Sequence, residues 1–210
     1  PTPTQLVADV KGKARDVLLA ERVALNVLAR CSGVATQARR VRAAVDRVGW
    51  KGTIAGTRKT TPGFRVVEKY GLVVGGVSGH RYDLSHMVML KDNHVVISGS
   101  VAAAVGAVRQ VRDFASKIEV ECRNLEEAQE AARLGVDVIM LDNFDPEGLE
   151  ASARILKHNF PDVLIESSGG VTVDTVADYA KEWVDIISLS QLVQGYPVVD
   201  FSMKVVPQKQ

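Results

Sequence analysis

The chain has 210 residues, 46% apolar and 24% charged, and its 26 Lys and Arg against 25 Asp and Glu leave a net charge of +1. That length buries a sizeable core in one domain, or in one large domain with an appendage, and the composition is that of a soluble globular protein. The near balance of charge excludes a bulk electrostatic case for nucleic acid or an anionic membrane, so any positive site has to be local.

Residues 5–12 (Gln5-Leu6-Val7-Ala8-Asp9-Val10-Lys11-Gly12) alternate like a strand with one wet face, although no earlier strand is present for it to join. From about Leu18 to Val48 the apolar residues Val27, Cys31, Val34, Ala38, Val41, Val45 and Val48 recur at three- and four-residue steps. They predict a helix that Ser32-Gly33 could bend or split. Arg39, Arg40, Arg42 and Arg47 are expected on its solvated face. Seven short β-type runs follow: Thr53–Gly56, Leu72–Gly75, Met87–Leu90, Lys117–Glu121, Asp137–Leu141, Val163–Glu166 and Asp185–Leu189. Helical patterns at Ser100–Phe114, Leu125–Leu134, Pro146–Phe160 and Val173–Lys181 separate several of them. Apolar strands alternating with helices predict a parallel sheet covered on both faces. An open dinucleotide-binding sheet is disfavoured, because no G-x-G-x-x-G follows the first strand. Polar or charged residues close nearly every strand, as at the mouth of a barrel, so the expectation is an α/β fold with a seven- or eight-stranded parallel barrel.

The loop Gly56-Thr57-Arg58-Lys59-Thr60-Thr61-Pro62-Gly63 joins a strand to a helix, where backbone N–H groups and the helix's positive end favour anions. With His80, Arg81 and Lys91 after the next two strands, the mouth would hold a basic arc that only a substrate with at least two anionic groups offsets. Glu121 and Asp142 would face it as ligands for Mg²⁺ or ribose hydroxyls, or else as interior ion-pair partners of Lys91 or Lys117. Ser168-Gly169-Gly170 supplies successive N–H groups for a terminal phosphate. His94 is expected to fix the Lys91–His94 loop by hydrogen bonds.

Cys31 and Cys122 lie far apart without metal-ligand spacing, which fits a reduced cytoplasmic protein with inert thiols. No signal peptide or bilayer-spanning run is present, and the leading Pro1 is what a fragment or processed product would show.

Motifs in one order run through nearly the whole chain: E-R-V-A-L-N (Glu21–Asn26), A-R-C-S-G (Ala29–Gly33), A-G-T-R-K-T-T-P-G-F-R (Ala55–Arg65) and E-K-Y-G-L (Glu68–Leu72). G-H-R-Y-D-L (Gly79–Leu84), K-D-N-H (Lys91–His94), Ile118-Glu119-Val120-Glu121-Cys122, L-D-N-F (Leu141–Phe144) and S-G-G (Ser168–Gly170) continue it. In these residues the chain resembles the quinolinate phosphoribosyltransferases, also called decarboxylating nicotinate-nucleotide pyrophosphorylases. The resemblance implies phosphoribosyl transfer from 5-phosphoribosyl-1-pyrophosphate to quinolinate with Mg²⁺, giving nicotinate mononucleotide, CO₂ and pyrophosphate for NAD biosynthesis. It implies catalytic roles for Lys59, Lys91, Glu121 and Asp142, and substrate contacts from Arg58, Lys59, Thr60, His80, Arg81, Lys91, Ser168, Gly169, Gly170 and Ser190. Glu121 and Asp142 would serve the metal and the ribose. Arg22 would reach a neighbouring subunit's site, which implies a homodimer or hexamer. Residues 1–20 would then be the remnant of a leading α+β sandwich domain, 21–195 the barrel, and 196–210 a segment packing back on the leading domain. Two departures stand out: most of a leading domain is missing, and Ser190 replaces a usual glycine. The alternative expectation is a truncated, catalytically silent isoform that binds anionic metabolites or pairs with a full-length subunit.

Overall fold

A computed structural model describes residues 4–206. Residues 4–12 form no strand and lie exposed, so the expected strand at 5–12 is not there; without a partner sheet its backbone groups are left to solvent. The first element is α1, one continuous helix over Ala14–Arg47 that Ser32-Gly33 does not break. Its buried face is Val34, Ala38, Val41 and Val45, whose spacing places them on one stripe, while Val48 lies just past the end and is exposed. Arg42 is not merely solvated: it donates to the carbonyls of Gly52 at 2.9 Å and Trp50 at 3.1 Å and lies over the Trp50 ring, fastening α1 to the turn before the first strand.

β1 (Thr53–Ala55) leads through the Gly56–Gly63 loop into α2 (Arg65–Val74). The expected strand at Leu72–Gly75 is the last turn of α2: Leu72 is fully buried, whereas Val73 and Val74 face solvent. A four-residue apolar run carries no period to tell strand from helix, and the lengthening of α2 through it decided the matter. The helix lies directly on α1, since a Cβ at Gly75 would stand 2.4 Å from that of Ala38. The chain then returns beside β1 only as a bridge, Ala55 to Ser78.

The remaining elements are β2 (Val88–Leu90), α3 (Asp92–Ser98), α4 (Val101–Val111), β3 (Ile118–Cys122), α5 (Leu125–Arg133), β4 (Val138–Asp142), α6 (Pro146–Asn159), β5 (Leu164–Ser168) and β6 (Ile186–Ser188). The predicted helix at Val173–Lys181 is a chain of turns closed by bonds such as Asp178 N–H to Thr175 O and Ala180 N–H to Ala177 O, three residues apart. All pairings are parallel, in the order β1-β6-β5-β4-β3-β2. The α/β class and parallel sheet are as expected. Of the expected seven- or eight-stranded barrel, the described residues show six hydrogen-bonded strands and a bridge, with no hydrogen-bonded pairing between Ser78 and β2. The sheet nevertheless curls, because His80, beyond the β1 edge, comes within 4.0 Å of Glu119 on β3. Val120, Cys122, Ile139, Leu141 and Ile165 point outward into the helical layer and are buried there.

Candidate active site

Side chains alternate along each strand, so Glu119 and Glu121, Met140 and Asp142, and Glu166 and Ser168 share the concave face. Register sets Met140 beside Glu166 and Asp142 beside Ser168. Two tiers result, a rim at the strands' C-terminal ends and a buried tier beneath it.

At the rim, Lys91 at the end of β2 forms an ion pair with Glu121 at the end of β3. The interior ion-pair alternative for Glu121 is therefore realised, with Lys91 as the partner. Next to it, Asp142 accepts from Asn143 Nδ2 at 2.5 Å. Burial first, and then the charge of Glu121, raises the Asp142 carboxyl above its ordinary value, while Lys91 and Lys59 pull it down. Lys59, Lys91, Glu121 and Asp142 thus form one electrostatic group. Two neighbouring carboxyl groups beside exposed cations suit a hard divalent ion shared with phosphate oxygens, so the residues present fit Mg²⁺.

Arg58 belongs to a second arc with Arg65, Lys69 and Arg81. Burial and the charges of Arg65, Arg58 and Arg81 bring the Lys69 ammonium down to about 8, and it donates to the carbonyl of Gly79. Arg81 is 8% exposed and donates to Met89 Sδ at 3.0 Å; burial lowers its pKa, against the opposing charges of Glu119 and Glu166. Lys69 was not legible as a site residue, because on a helix its spacing is that of any surface lysine.

In the buried tier, His80 Nε2 lies 3.0 Å from Glu166 Oε2, and Glu166 Oε1 accepts from Ser188 Oγ at 2.6 Å. Ser188 Oγ also meets Ser168 Oγ at 3.1 Å, which ties this tier to the rim. Glu119 is fully buried with both carboxylate oxygens unpartnered; burial and then the charge of Glu166 push it up to about 9. Ligand atoms of His80, Glu119 and Glu166 lie within 4.8 Å of one another. His80 Nδ1 accepts the Arg81 backbone N–H at 2.7 Å, so Nε2 bears the ring proton and donates to Glu166. His80 holds this pose at a φ of 54°, rare for a residue with a Cβ. Glu119 and Glu166 were missed as site residues, although each sits two positions before a predicted one on the same strand face.

The Ser168-Gly169-Gly170 turn, expected to cradle a phosphate, takes its shape from two consecutive left-handed glycines, Gly169 at φ 83° and Gly170 at φ 67°. Asn143 N–H donates to Ser168 O at 2.9 Å, and a Cβ on Gly169 would sit 2.4 Å from Asn143 Oδ1. Ser190 opens a short 3₁₀ turn, Ser190–Leu192, whose closing bond runs from Val193 N–H to Ser190 O. On the outer side of the basic loop, Lys59, Thr60 and Thr61 line a cavity of about 400 Å³ with Arg30, Gln194 and Tyr196. Glu68, fully buried, accepts from Thr61 N–H at 3.0 Å and from the Tyr196 hydroxyl at 3.1 Å, and so pins loop and C-terminal segment together. His94 Nδ1 accepts Lys91 N–H at 3.0 Å, the expected loop-fixing bond. Arg22 is exposed on the N-terminal half of α1 and joins none of these groups.

Residues 34–204 match the sequence model of the family "Quinolinate phosphoribosyl transferase, C-terminal domain". The chain is 54% identical over 203 residues to the nicotinate-nucleotide pyrophosphorylase [carboxylating] of Homo sapiens, an alignment covering 97% of this chain and 68% of that protein. It is 47% identical to the enzyme of the same name from Dictyostelium discoideum, covering 96% of this chain and 69% of that one. The crystal structure of NadC from Streptococcus pyogenes superposes with a TM-score of 0.83 at 39% identity, over 92% of this chain and 66% of that one.

Proposed function

The chain belongs to the quinolinate phosphoribosyltransferase family, pentosyltransferases of NAD biosynthesis that act on quinolinate and 5-phosphoribosyl-1-pyrophosphate, and we propose that its strand-end rim carries that transfer. The name "carboxylating" borne by its relatives describes the same reaction read from nicotinate mononucleotide back to the dicarboxylate. The observation that carries the assignment to this rim is the grouping of Lys59, Lys91, Glu121 and Asp142 at one end of the sheet.

Quinolinate is a dianion and the donor carries a pyrophosphate and a phosphate, so the site must offset several negative charges. Arg58, Arg81 and His80 would hold the dicarboxylate, Lys59 and Lys91 the pyrophosphate, and the Ser168-Gly169-Gly170 amides the 5-phosphate. Positioned this way, the ring nitrogen attacks the anomeric carbon as its bond to pyrophosphate breaks. The resulting ring cation accepts the electron pair released when the 2-carboxylate leaves as CO₂, and a proton then takes that position. Glu121 and Asp142 would hold Mg²⁺, which when bound withdraws charge from the departing pyrophosphate. Lys91 sets the Glu121 carboxylate in place by their ion pair, and Asn143 does the same for Asp142. Stabilising charge that develops at fixed positions is the main catalytic contribution here, with no covalent intermediate.

Arg22, exposed on α1, would act on a second copy's site in a homodimer or larger assembly. The deciding assay is formation of nicotinate mononucleotide and CO₂ from quinolinate, 5-phosphoribosyl-1-pyrophosphate and Mg²⁺. Turnover that disappears on chelation is expected. Thermal stabilisation by the substrates with no product would overturn the reading in favour of a silent binding form.

A further inference from the structure

We propose that Lys69 is a positioning residue for the dicarboxylate: by donating to the Gly79 carbonyl, it holds in place the turn that aims His80 and Arg81. The proposal rests on the transferase reading, which puts the dicarboxylate on those two side chains and leaves Lys69 without a role. Residues 79–81 belong to no helix or strand. His80 N–H donates to Ser78 Oγ at 3.1 Å and Arg81 N–H to His80 Nδ1 at 2.7 Å, bonds that shape the turn from within. Among the described residues, the Lys69 bond is the one that joins the backbone of 79–81 to a residue more than two positions away. Its acceptor belongs to the peptide unit that sets the φ of His80, which is held at 54°. A backbone in that region persists where its surroundings fix it.

The helix α2 supplies a firm base for that bond, because it lies so close on α1 that a Cβ at Gly71 would meet Cys31 O at 2.9 Å. Lys69 is 6% exposed, and the turn rests against its stem, with a Cβ at Gly79 falling 3.5 Å from Lys69 Cδ. The groups that face the ammonium are three guanidiniums: Arg65 on its own helix, Arg58 on the basic loop and Arg81 on the turn. Burial, with these charges, lowers its pKa to about 8. Packing alone would be served as well by methionine, which has a similar length and no charge to bury. Strong perturbation of this kind, by burial and like charges together, marks functional sites. Once bound, the dianion offsets the three arginines, so the charge on Lys69 is least costly when the turn is in use.

The test compares the whole chain with its Lys69→Met variant, in steady-state assays with quinolinate and 5-phosphoribosyl-1-pyrophosphate and by amide hydrogen exchange. The quinolinate KM should rise about tenfold or more while the KM of the phosphoribosyl donor stays within about threefold, because this turn holds the dicarboxylate alone. The Arg81 amide should exchange at least about tenfold faster, with the amides of β3, β4 and β5 unchanged. The melting temperature should stay within about 4 °C of the parent, since losing a crowded cation offsets losing its bond. A parental quinolinate KM, an equal rise in both KM values, or an unchanged Arg81 exchange rate would each overturn the proposal. If the unaltered chain forms no product, the transferase reading fails, while the exchange comparison still decides whether Lys69 holds the turn. Should Lys69→Met fail to fold, Lys69→Gln, whose donor is one atom shorter in reach, faces the same outcomes.

Discussion

Gly169 and Gly170 are adjacent, both left-handed, and predicted to respond differently to the same methyl group. An alanine at either position adopts a φ that costs an L-residue about 1–2 kcal/mol. At Gly170 nothing stands within 4 Å of the new Cβ, so that cost is the whole effect. At Gly169 the Cβ would lie 2.4 Å from Asn143 Oδ1 and 2.8 Å from its backbone nitrogen, so Asn143 has to move. Asn143 makes two bonds that such a shift breaks, to Ser168 O at 2.9 Å and to Asp142 Oδ2 at 2.5 Å, each contributing about 1 kcal/mol. Gly169→Ala should therefore destabilise the chain by about 3.5 kcal/mol, and Gly170→Ala by about 1.5 kcal/mol. Urea titration with a slope near 2 kcal/mol/M would place the midpoints about 1.7 M and about 0.7 M below the parent. Because Asp142 loses its anchoring amide only in the first variant, product formation should also fall about tenfold for each 1.4 kcal/mol of transition-state stabilisation lost there. Equal midpoints for the two variants would refute the contact argument, leaving backbone strain as the sole cost.

Glu119→Gln should flatten the dependence of stability on pH. Folding raises this carboxyl from 4.5 to about 9, so between those values the folded chain keeps a proton that the unfolded chain releases. Stability accordingly falls as pH rises through the window, and the glutamine variant should be the more stable by at least about 1 kcal/mol at pH 7, as read by urea midpoints across pH. Parallel curves for both proteins would contradict the assignment. Tyr196→Phe removes one of the two donors to the buried Glu68. A loss of about 1–2 kcal/mol and faster hydrogen exchange at the Thr61 amide are expected, and an unchanged exchange rate would mean that the C-terminal segment does not hold the loop. Lys91→Met should separate stability from activity. The lysine is 43% exposed, so the pair with Glu121 contributes no more than about 1 kcal/mol to folding, whereas product formation should drop by about 10²–10³. Near-parental activity would remove Lys91 from the catalytic group.

Local pattern determined a great deal. The four-three-four spacing of Val34, Ala38, Val41 and Val45 sufficed for the buried face of α1, and the apolar runs at Lys117–Glu121, Asp137–Leu141 and Val163–Glu166 sufficed to locate β3, β4 and β5. These elements are long enough to display a period, and their end residues follow from strand direction alone. The run at Leu72–Gly75 was too short for its period to show, and whether it joined a sheet or ended a helix depended on α1 lying against Gly75. The strand expected at residues 5–12 has no partner strand among the described residues.

The site divides along the same line. The residue types at the rim were readable because charge at strand ends is a one-dimensional signal. That Lys91 would neutralise Glu121, that Lys69 would sit among three arginines, and that Glu119 would be left without a partner beneath His80 were decided only by the curl of the sheet. Such pairings join β2 to β3, α2 to the basic loop, and β3 to the far edge. Distances between elements remote along the chain are fixed by packing and register, which no single stretch of sequence encodes.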